Sequence, residues 1–419
     1  MGVLSSARVQ AQLLGRLGTR RFFLAAFASS AGTWLAFVAL AIDIFDRTQS
    51  SAWVGALLAA EIIPTAVLGL TLGSLLDRLP RRSLMVVADL ARTCVFAALV
   101  FAPSALVIVI LVGVAGIATA FFRPAVYAGL PNLVSDDELP AANSLMQTVE
   151  GSTSVLAPLL GGVLVAAFGP TTCYLLNALT FLISAELLFR IPARAFQARR
   201  AETRGLLRDF LDGVALIRES RAVLTVFVSW SVAALAFAAA NASEVAIAKD
   251  TLGAGDIGFG LLIGSMGAGV VAGAFTAPIL LGFRPFAAVY GAGFVLMGAS
   301  FVLVASAPPI AVAAFALAAA GFANGWLMTA NGLLVQRGAP DELRGRAFTL
   351  IISTNFLVLS IGYFFAGALA DAHGPQLVWV IAGGILLVAS ISAVLLARPL
   401  SVTPATAART PTPVPENAW

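Results

Sequence analysis

The amino-acid sequence predicts an all-α membrane protein with twelve transmembrane helices arranged as two six-helix halves. Three observations lead to this prediction: the chain is too apolar for a soluble globule, it contains twelve long apolar runs, and a pattern in its first half recurs in the second. Of the 419 residues, 60% are apolar and 11% are charged, with a mean hydropathy of +0.96. A soluble domain carries about 25% charged residues because its surface faces water, so lipid is indicated as the outer solvent.

Twelve apolar runs are long enough to cross a bilayer, which takes about 20 residues at the helical rise of about 1.5 Å per residue. We place the spans at residues 22–45, 52–76, 83–101, 104–128, 141–168, 171–190, 222–248, 257–281, 285–306, 308–333, 347–371 and 375–397. The first run is too long for the core of a signal peptide and no small-residue cleavage site follows it. We therefore expect it to be a retained span.

The basic residues test this map, because cytoplasmic loops next to spans accumulate Arg and Lys. With the N-terminus inside, almost all arginines fall on one face of the membrane, whereas Arg47 and Lys249 fall on the other. We expect both termini to be cytoplasmic, and the preference for Arg over Lys suggests a bacterial cytoplasmic (inner) membrane. The pI near 9.6 then reflects topology, and no nucleic-acid partner is expected.

Four regions follow from the spans: a six-helix half at 1–190, a cytoplasmic linker at 191–221, a second half at 222–398 and a disordered tail at 399–419. In the linker, apolar residues recur at helical spacing from Leu206 to Ile217, with charged residues between them. This pattern predicts an amphipathic helix on the membrane face. A solvated linker helix is the alternative. The tail is rich in Pro, Thr and Ala, which is typical of disorder.

A segment of the first half recurs in the second. Residues 129–170 and 332–375 each begin at a glycine, continue through Asp-Glu-Leu and an apolar helix, and end in Gly-Pro. The two Asp-Glu-Leu triplets begin at Asp137 and Asp341, 204 residues apart. Because this offset equals six spans, both copies keep the same orientation, as in the parallel repeats of two-lobed transporters.

The connection between spans two and three carries the sharpest local motif, Gly-Ser-Leu-Leu-Asp-Arg-Leu-Pro-Arg-Arg at residues 73–82. It resembles the cytoplasmic motif of the major facilitator superfamily, Gly-x-Leu-Ala-Asp-Arg-x-Gly-Arg-Arg, with Pro80 in place of the second glycine. The resemblance implies a cytoplasmic gate, to which we assign Gly73, Asp77, Arg78, Arg81, Arg82, Asp89 and Arg92. Asp77 would meet the positive end of a helix in the other half. Alternatively, the arginines only anchor a loop. Asp89 and Arg92, three residues apart on one helical face, are expected to form a structural ion pair near this gate.

Span five resembles an element of exporters in the same superfamily, Gly-Pro-x-x-Gly-Gly, here with Ala157 before Pro158, Gly161 and Gly162. A proline kink beside small residues suits a seam along which the halves rock. Ordinary tight packing is the alternative. Further likeness to the siderophore and macrolide exporter branch lies in residues 121–125, 130–131, 142–145 and 344–346. The arginine of the superfamily's fourth helix would fall near Val112 or Gly113, and neither is charged, which argues against proton coupling through that residue.

Ionisable groups inside spans cost about 2.5–3.5 kcal/mol on insertion scales, so they mark candidate sites. Glu61 and Glu150 each lie about ten residues into a span, near the midplane of the bilayer. A carboxyl removed from water favours its neutral, proton-carrying form. We assign both to proton coupling or substrate binding. A hydrogen-bonded internal contact is the alternative.

Other polar groups lie at the outer ends of spans or inside them. At the outer ends, an outer gate and a solvated helix end are both possible for Asp43, Glu244 and Asp371. Inside spans, a cavity for an amphiphilic ligand is predicted from Asn241, Asn324, Asn331 and Asn355 with Phe37, Trp230 and Trp326. The aromatic groups would otherwise face lipid or pack. The candidate coupling or binding set comprises Glu61, Glu150, Asp43, Asn241, Asn324 and Asn355.

The sequence therefore favours a secondary active transporter that exports a small hydrophobic or amphiphilic molecule, such as a drug or natural product, by proton antiport and rocking of the halves. ATP hydrolysis is not expected, because a Walker loop needs Gly-Lys and the only lysine follows Ala248. We expect no enzyme activity, no metal site, no cofactor besides the proton gradient, and a monomer whose partners are lipid and substrate.

Three alternatives stay open. A siderophore exporter and a nutrient importer or uniporter would share the fold. Anion import would call for arginine in the cavity, and the two candidates, Arg92 and Arg123, lie toward the cytoplasmic side. A membrane scaffold or sensor would need an appended soluble domain, and no segment is large enough.

Overall fold

A computed structural model describes residues 3–71, 79–196, 206–283 and 285–397, which are almost entirely helical. The helices are α1 (Val3–Gly15), α2 (Leu17–Thr48), α3 (Ser51–Thr71), α4 (Arg81–Leu99), α5 (Ala105–Gly129), α6 (Leu139–Phe168), α7 (Pro170–Phe189), α8 (Leu206–Glu219), α9 (Arg221–Ala246), α10 (Gly255–Phe283), α11 (Phe286–Ala305), α12 (Ile310–Gly338), α13 (Asp341–His373) and α14 (Pro375–Ala397). A π-helical turn, Ile247–Thr251, extends α9.

Eleven helices of the described ranges are long and apolar enough to cross a membrane. The third predicted span corresponds to α4, a helix of 19 residues that carries Arg81, Arg82, Asp89 and Arg92 and does not belong to this group. α4 packs against α5 and α7 inside the bundle. The predicted all-α membrane fold is confirmed, and α4 is the helix whose charges its neighbours have to accommodate.

The two halves repeat one set of helix pairings. In the N-terminal half, α2 packs on α6 and α7, α5 packs on α3 and α4, and α4 packs on α7. In the C-terminal half, the helices six spans later pair in the same way: α9 with α13 and α14, α12 with α10 and α11, and α11 with α14. The 204-residue sequence repeat is therefore a repeat of helix arrangement. Across the halves, α3 packs on α13 and α6 packs on α10.

Close helix pairs depend on glycine, since lipid supplies no hydrophobic force between helices and backbone approach supplies the contact. A Cβ on Gly321 of α12 would lie 2.0 Å from the carbonyl oxygen of Met266 on α10, and one on Gly116 of α5 would lie 2.5 Å from that of Glu61 on α3. These two contacts occupy equivalent pairings of the two halves, so both halves use the same packing device.

The bundle has two ends, which we name by what they carry. The linker face is the end where α2, α4, α6 and α9 begin and where α8 lies. The opposite face is the end where α3, α7, α10 and α14 begin. Leu216 and Ile217 of α8 are buried, and α8 packs against α13 and α9. The predicted linker therefore contains a helix that docks on the C-terminal half. The tail at 399–419 lies outside the described residues.

Candidate functional site

Glu61 lines a small cavity inside the N-terminal half. The cavity, of about 20 Å³, has room for one water molecule. Its polar lining consists of Thr33, Glu61, Arg92, Thr119 and Asn177. Gly116 lets the α3 backbone at Glu61 approach α5, and Pro64 leaves the preceding turn of α3 without one helical hydrogen bond. The local sequence thus brings a carboxyl group to the centre of a helix bundle.

Arg92 provides the positive charge of this cavity. Its side chain is buried and forms an ion pair with Asp89, also buried. The guanidinium lies between two rings, 4.1 Å from the centroid of Phe122 and 4.2 Å from that of Phe181. Arg92 follows the start of α4 by three turns, about 16 Å at the helical rise. The pair therefore lies deep in the half and not at the linker face where the predicted gate would be.

Three buried polar atoms around this cavity lack hydrogen-bond partners among the described residues: Nε of Arg92, Nδ2 of Asn177 and Oδ2 of Asp89. Buried polar groups are normally paired, and an unpaired one costs about 1–3 kcal/mol. A cavity with two unpaired donors beside a carboxyl group is suited to a bound water or a transferred proton. Asn177 is the member that the sequence analysis missed, because no local pattern distinguishes it from a packing residue.

Glu150 lies nearer the linker face, where it accepts a hydrogen bond from the hydroxyl of Tyr127 on α5. Arg123, one turn before Tyr127 on α5, is exposed. Its charge acts on Tyr127 and also on Glu61. The two predicted glutamates therefore belong to different environments of one half: an enclosed cavity for Glu61, and a partly exposed polar group for Glu150.

The predicted asparagines lie in the C-terminal half and bond mainly to neutral partners. Asn241 donates to the Tyr363 hydroxyl at 3.2 Å, and Asn355 accepts from Ser231 at 3.0 Å. Oδ1 of Asn324 is buried without a partner among the described residues. Tyr363 also lies within electrostatic reach of Glu61 and Glu244, so Asn241 belongs to a polar group where the halves meet.

The aromatic residues expected to line one cavity with these asparagines are dispersed. Phe37 lines the cavity at Glu61. Trp230 packs against Phe294 within the C-terminal half, and Trp326 is buried against Phe322. Phe37 thus lies in the N-terminal half, whereas Trp230 and Trp326 lie in the C-terminal half and pack against different rings.

Asp43 is held inside the N-terminal half. Its carboxylate accepts from Nε of Arg47 at 2.8 Å and from the hydroxyl of Tyr174 at 2.9 Å. Since all three residues belong to α2 and α7, Asp43 makes no link between the halves through these bonds. Its environment is that of a structural ion pair near the opposite face.

Other residues link the halves at the opposite face. Asp371 at the end of α13 accepts from the backbone N–H of Ser51 at 2.6 Å and of Ala52 at 3.2 Å, and from the Ser50 hydroxyl at 2.5 Å. A carboxylate at a helix N-terminus is stabilised by the unpaired N–H groups there. Asp371 thus caps α3 of the other half.

Lys249 makes the second link. Its ammonium contacts Asp46 of α2 at 2.5 Å and Asp256 of α10 at 2.7 Å. This link and that of Asp371 both join the halves at the opposite face. The sequence signal was present, since Lys249 is the only lysine, but its partners are 203 residues before it and seven after it.

The predicted seam residues lie where α6 meets α10. A Cβ on Gly162 would be 2.6 Å from the carbonyl oxygen of Asp256, and one on Gly260 would be 2.5 Å from that of Pro158. Gly161 faces the α2 backbone at Leu35 instead. Contact with α10 continues to Gly151, whose Cβ would lie 3.0 Å from Val271.

Beyond Gly151, the same side of α6 is open. Ser144, Gln147 and Thr148 continue this side toward the linker face, at helical spacing from Gly151, and all three are exposed. α6 and α10 therefore touch near the opposite face and part toward the linker face.

Part of the predicted gate motif, Gly73, Asp77 and Arg78, lies outside the described residues. Arg81 donates to the carbonyl oxygen of Ala128 at 2.5 Å, and the Arg82 guanidinium lies 4.7 Å from the ring centroid of Phe189. These two contacts tie the start of α4 to α5 and α7 within one half.

Comparisons with known proteins agree with this architecture. A family model described as transmembrane secretion effector matches residues 17–418. The chain is 25% identical over 383 residues to "Uncharacterized MFS-type transporter YfiS" of Bacillus subtilis (strain 168), covering 86% of this chain and 88% of that protein. It is 26% identical over 321 residues to the putative bacilysin exporter BacE of the same strain, covering 75% and 80%.

A shorter match, 24% identical over 181 residues, is to macrolide efflux protein A of Enterococcus faecalis and covers 41% of this chain and 55% of that protein. Among solved structures, the nucleoside transporter NupG matches with a TM-score of 0.75 at 13% identity, covering 91% of this chain and 99% of that one. At this identity the structural match shows the fold alone.

Proposed function

This chain belongs to the transmembrane secretion effector family of the major facilitator superfamily, and we propose that it exports a small hydrophobic or amphiphilic organic molecule by proton antiport. The linker face is the cytoplasmic face in this proposal, because the arginine-rich connections lie there. The membrane is the cytoplasmic membrane of a bacterial cell, with both termini inside.

The observation that carries the proposal is the asymmetric contact between the halves. Polar links through Asp371 and Lys249 hold them together at the opposite face, and the glycine contacts of α6 and α10 end at Gly151. In this proposal, the arrangement corresponds to a state that admits a molecule from the linker face and excludes it from the other. Rocking of the halves about the α6–α10 contact would exchange the two openings.

Coupling is assigned to Glu61. A carboxyl group drives exchange only if its proton affinity differs between two conformations. Glu61 lines a cavity with room for one water, and it belongs to α3, which contacts α13 of the other half. Opening at the opposite face would move α3 against α13 and change the hydration of this cavity. The names of two relatives, a putative bacilysin exporter and a macrolide efflux protein, support the direction and the class of substrate.

Everted membrane vesicles test the proposal. Vesicles from cells that overproduce the chain should accumulate a radiolabelled macrolide when their lumen is acidified, and vesicles from cells without it should not. An uncoupler should abolish the accumulation. Accumulation that is indifferent to the uncoupler would contradict proton coupling. Accumulation confined to right-side-out vesicles would contradict the direction.

A further inference from the structure

Arg123 and Tyr127 form an exposed polar patch on the wall of the N-terminal half. The apolar stripe of α5 that faces lipid includes Leu106, Ile110 and Ile117, all exposed. Arg123 lies off this stripe, two turns after Gly116, which contacts α3. Thr119, one turn before Arg123, lines the cavity at Glu61. The patch therefore continues the interior side of α5 from that cavity toward the linker face.

Together with Glu150 of α6, which Tyr127 contacts, the patch carries two opposite charges that do not form an ion pair with each other. The Tyr127 hydroxyl donates to Oε1 of Glu150, which leaves Oε2 available. Among the described residues, Arg123 forms no ion pair, while its charge acts on Tyr127, Glu61 and Arg92. Glu150 precedes Gly151, the last residue of the glycine contact with α10. The carboxylate thus lies at the level where the space between the halves begins.

We propose that Arg123 and Glu150 together bind the carboxylate and the ammonium group of a zwitterionic substrate, with Tyr127 orienting the Glu150 carboxylate. This inference rests on the proposed transport function for its meaning, and it adds that, among amphiphilic substrates, those that carry both charges bind more tightly than those that carry one.

Each group matches one end of such a ligand. A guanidinium presents paired N–H donors in the geometry that a carboxylate accepts. The carboxylate of Glu150 accepts from an ammonium group, and the exposed ring of Tyr127 offers a face to the same cation. A ligand with one charge would leave the other protein charge without a partner in a partly desolvated site, which lowers its affinity. The apolar body of the ligand would lie in the space between the halves.

Binding to the purified chain in lipid nanodiscs tests the inference without a proton gradient. The probes are phenylalanyl-phenylalanine, its N-acetyl derivative, which lacks the ammonium, and its C-terminal amide, which lacks the carboxylate. Calorimetry should show that each blocked form binds the wild-type chain about tenfold more weakly than the free dipeptide, equivalent to about 1.4 kcal/mol.

Variants of the chain test recognition of the ligand's carboxylate and of its ammonium group separately. With Arg123→Gln, the free dipeptide and the amide should bind alike while the N-acetyl form stays weaker. Glu150→Gln should give the reverse pattern, and Arg123→Lys should recover part of the preference for a free carboxylate. Arg337→Gln, an exposed arginine in the last turn of α12, is the matched control and should keep the wild-type pattern. Size-exclusion elution verifies that each variant is folded.

Equal binding of all three probes would overturn the inference, as would absence of binding to a folded chain that still exports a macrolide. Absence of gradient-driven accumulation in vesicles, with the charge pattern of binding intact, would instead overturn the proposed function and leave the binding site standing.

Discussion

The N-terminal and C-terminal halves share one helix arrangement but bury different chemistry. The N-terminal half encloses an ion pair, Asp89 with Arg92, and the carboxyl of Glu61. The C-terminal half is held by neutral bonds such as those from Asn241 to Tyr363 and from Tyr290 to Asn331. Its one buried carboxyl among the described residues is Glu244, whose Oε1 has no partner there.

This difference shows that the fold itself does not require the charges. Glycine contacts bring α10 and α12 together as closely as α3 and α5. The C-terminal pair packs in this way with no ion pair at its centre among the described residues. Counted from the start of each helix, the position equivalent to Glu61 is Ser265. A costly buried charge present in one copy and absent from the other is therefore best assigned to function.

The largest effect is expected at Glu61. Glu61→Gln should reduce gradient-driven export by about 100-fold, the scale on which proton-transfer groups contribute, while the matched change Ser265→Ala leaves export near the wild-type level. Vesicle accumulation with and without an uncoupler measures both. Export by Glu61→Gln at the wild-type rate would remove the functional distinction between the halves.

The next effect is steric and concerns the contact between the halves. Gly260→Leu places a side chain against the Pro158 carbonyl and should weaken closure at the opposite face, since overpacking costs about 1–3 kcal/mol. Gly384→Leu is the control, because nothing lies within 4 Å of that position.

Labelling of a reporter cysteine measures this opening. Ala242 is buried and faces Gly55 across the halves. In a background with Cys94→Ala and Cys173→Ala, the variant Ala242→Cys should react with an impermeant maleimide about tenfold faster when Gly260→Leu is present. Equal rates for the Gly260 and Gly384 variants would show that the glycine contact does not hold the halves closed.

A smaller effect is expected from the polar links. Asp371→Ala removes the cap of α3 and should speed labelling of the same reporter a few-fold, whereas Asp43→Ala should leave the rate unchanged. Asp43→Ala should instead lower the thermal unfolding midpoint, because the buried Tyr174 hydroxyl loses its acceptor. If Asp43→Ala speeds labelling and Asp371→Ala does not, Asp43 is the residue that holds the halves together.

The smallest effect is a pH dependence at the linker face of the N-terminal half. Two hydrogen bonds from the Arg16 guanidinium, at 2.7 and 2.9 Å, and one from the Ser135 N–H lower the pKa of Glu138 from 4.5 to about 2. A lowered pKa means that this bond stabilises the fold fully above pH 4.5, and that its contribution is lost as the pH falls toward 2.

Spin labels on Gln12 of α1 and Asp136 measure this contact. Their distance distribution should stay narrow at pH 4.5 and above and broaden as the pH approaches 2, and Glu138→Gln should broaden it at every pH. A distribution that does not change between pH 7 and pH 2 would contradict the assigned bond.

Local patterns in the sequence were sufficient for the helices and for contacts within a single turn. Eleven spans and α4 lie where apolar runs predicted them, because the length of a span is set by the bilayer and the helical rise. The ion pair of Asp89 with Arg92 follows from i, i+3 spacing on one helix. The placement of Glu61 near mid-span follows from the same counting.

Contacts between distant helices could not be read in this way. Lys249 and Asp46 are 203 residues apart, and no pattern in the sequence around either residue predicts that they form a pair. Asp43 and Asp46 lie one turn apart near the same end of α2. Asp43 bonds within its own half, whereas Asp46 bonds to the other half. The rotation of α2 about its axis decides which aspartate faces α7 and which faces the end of α9, and packing sets that rotation.

By itself, then, the sequence determined that this chain is a membrane bundle of two repeated halves with carboxyl groups in its first half, since hydropathy, charge placement and repeats act over one span at a time. Only the tertiary structure decided that Glu61 shares a cavity with Arg92 and Asn177, that Glu150 bonds to Tyr127, and that the halves meet at the opposite face. These depend on how closely glycine lets neighbouring helices approach, which is a property of pairs of helices and not of either one alone.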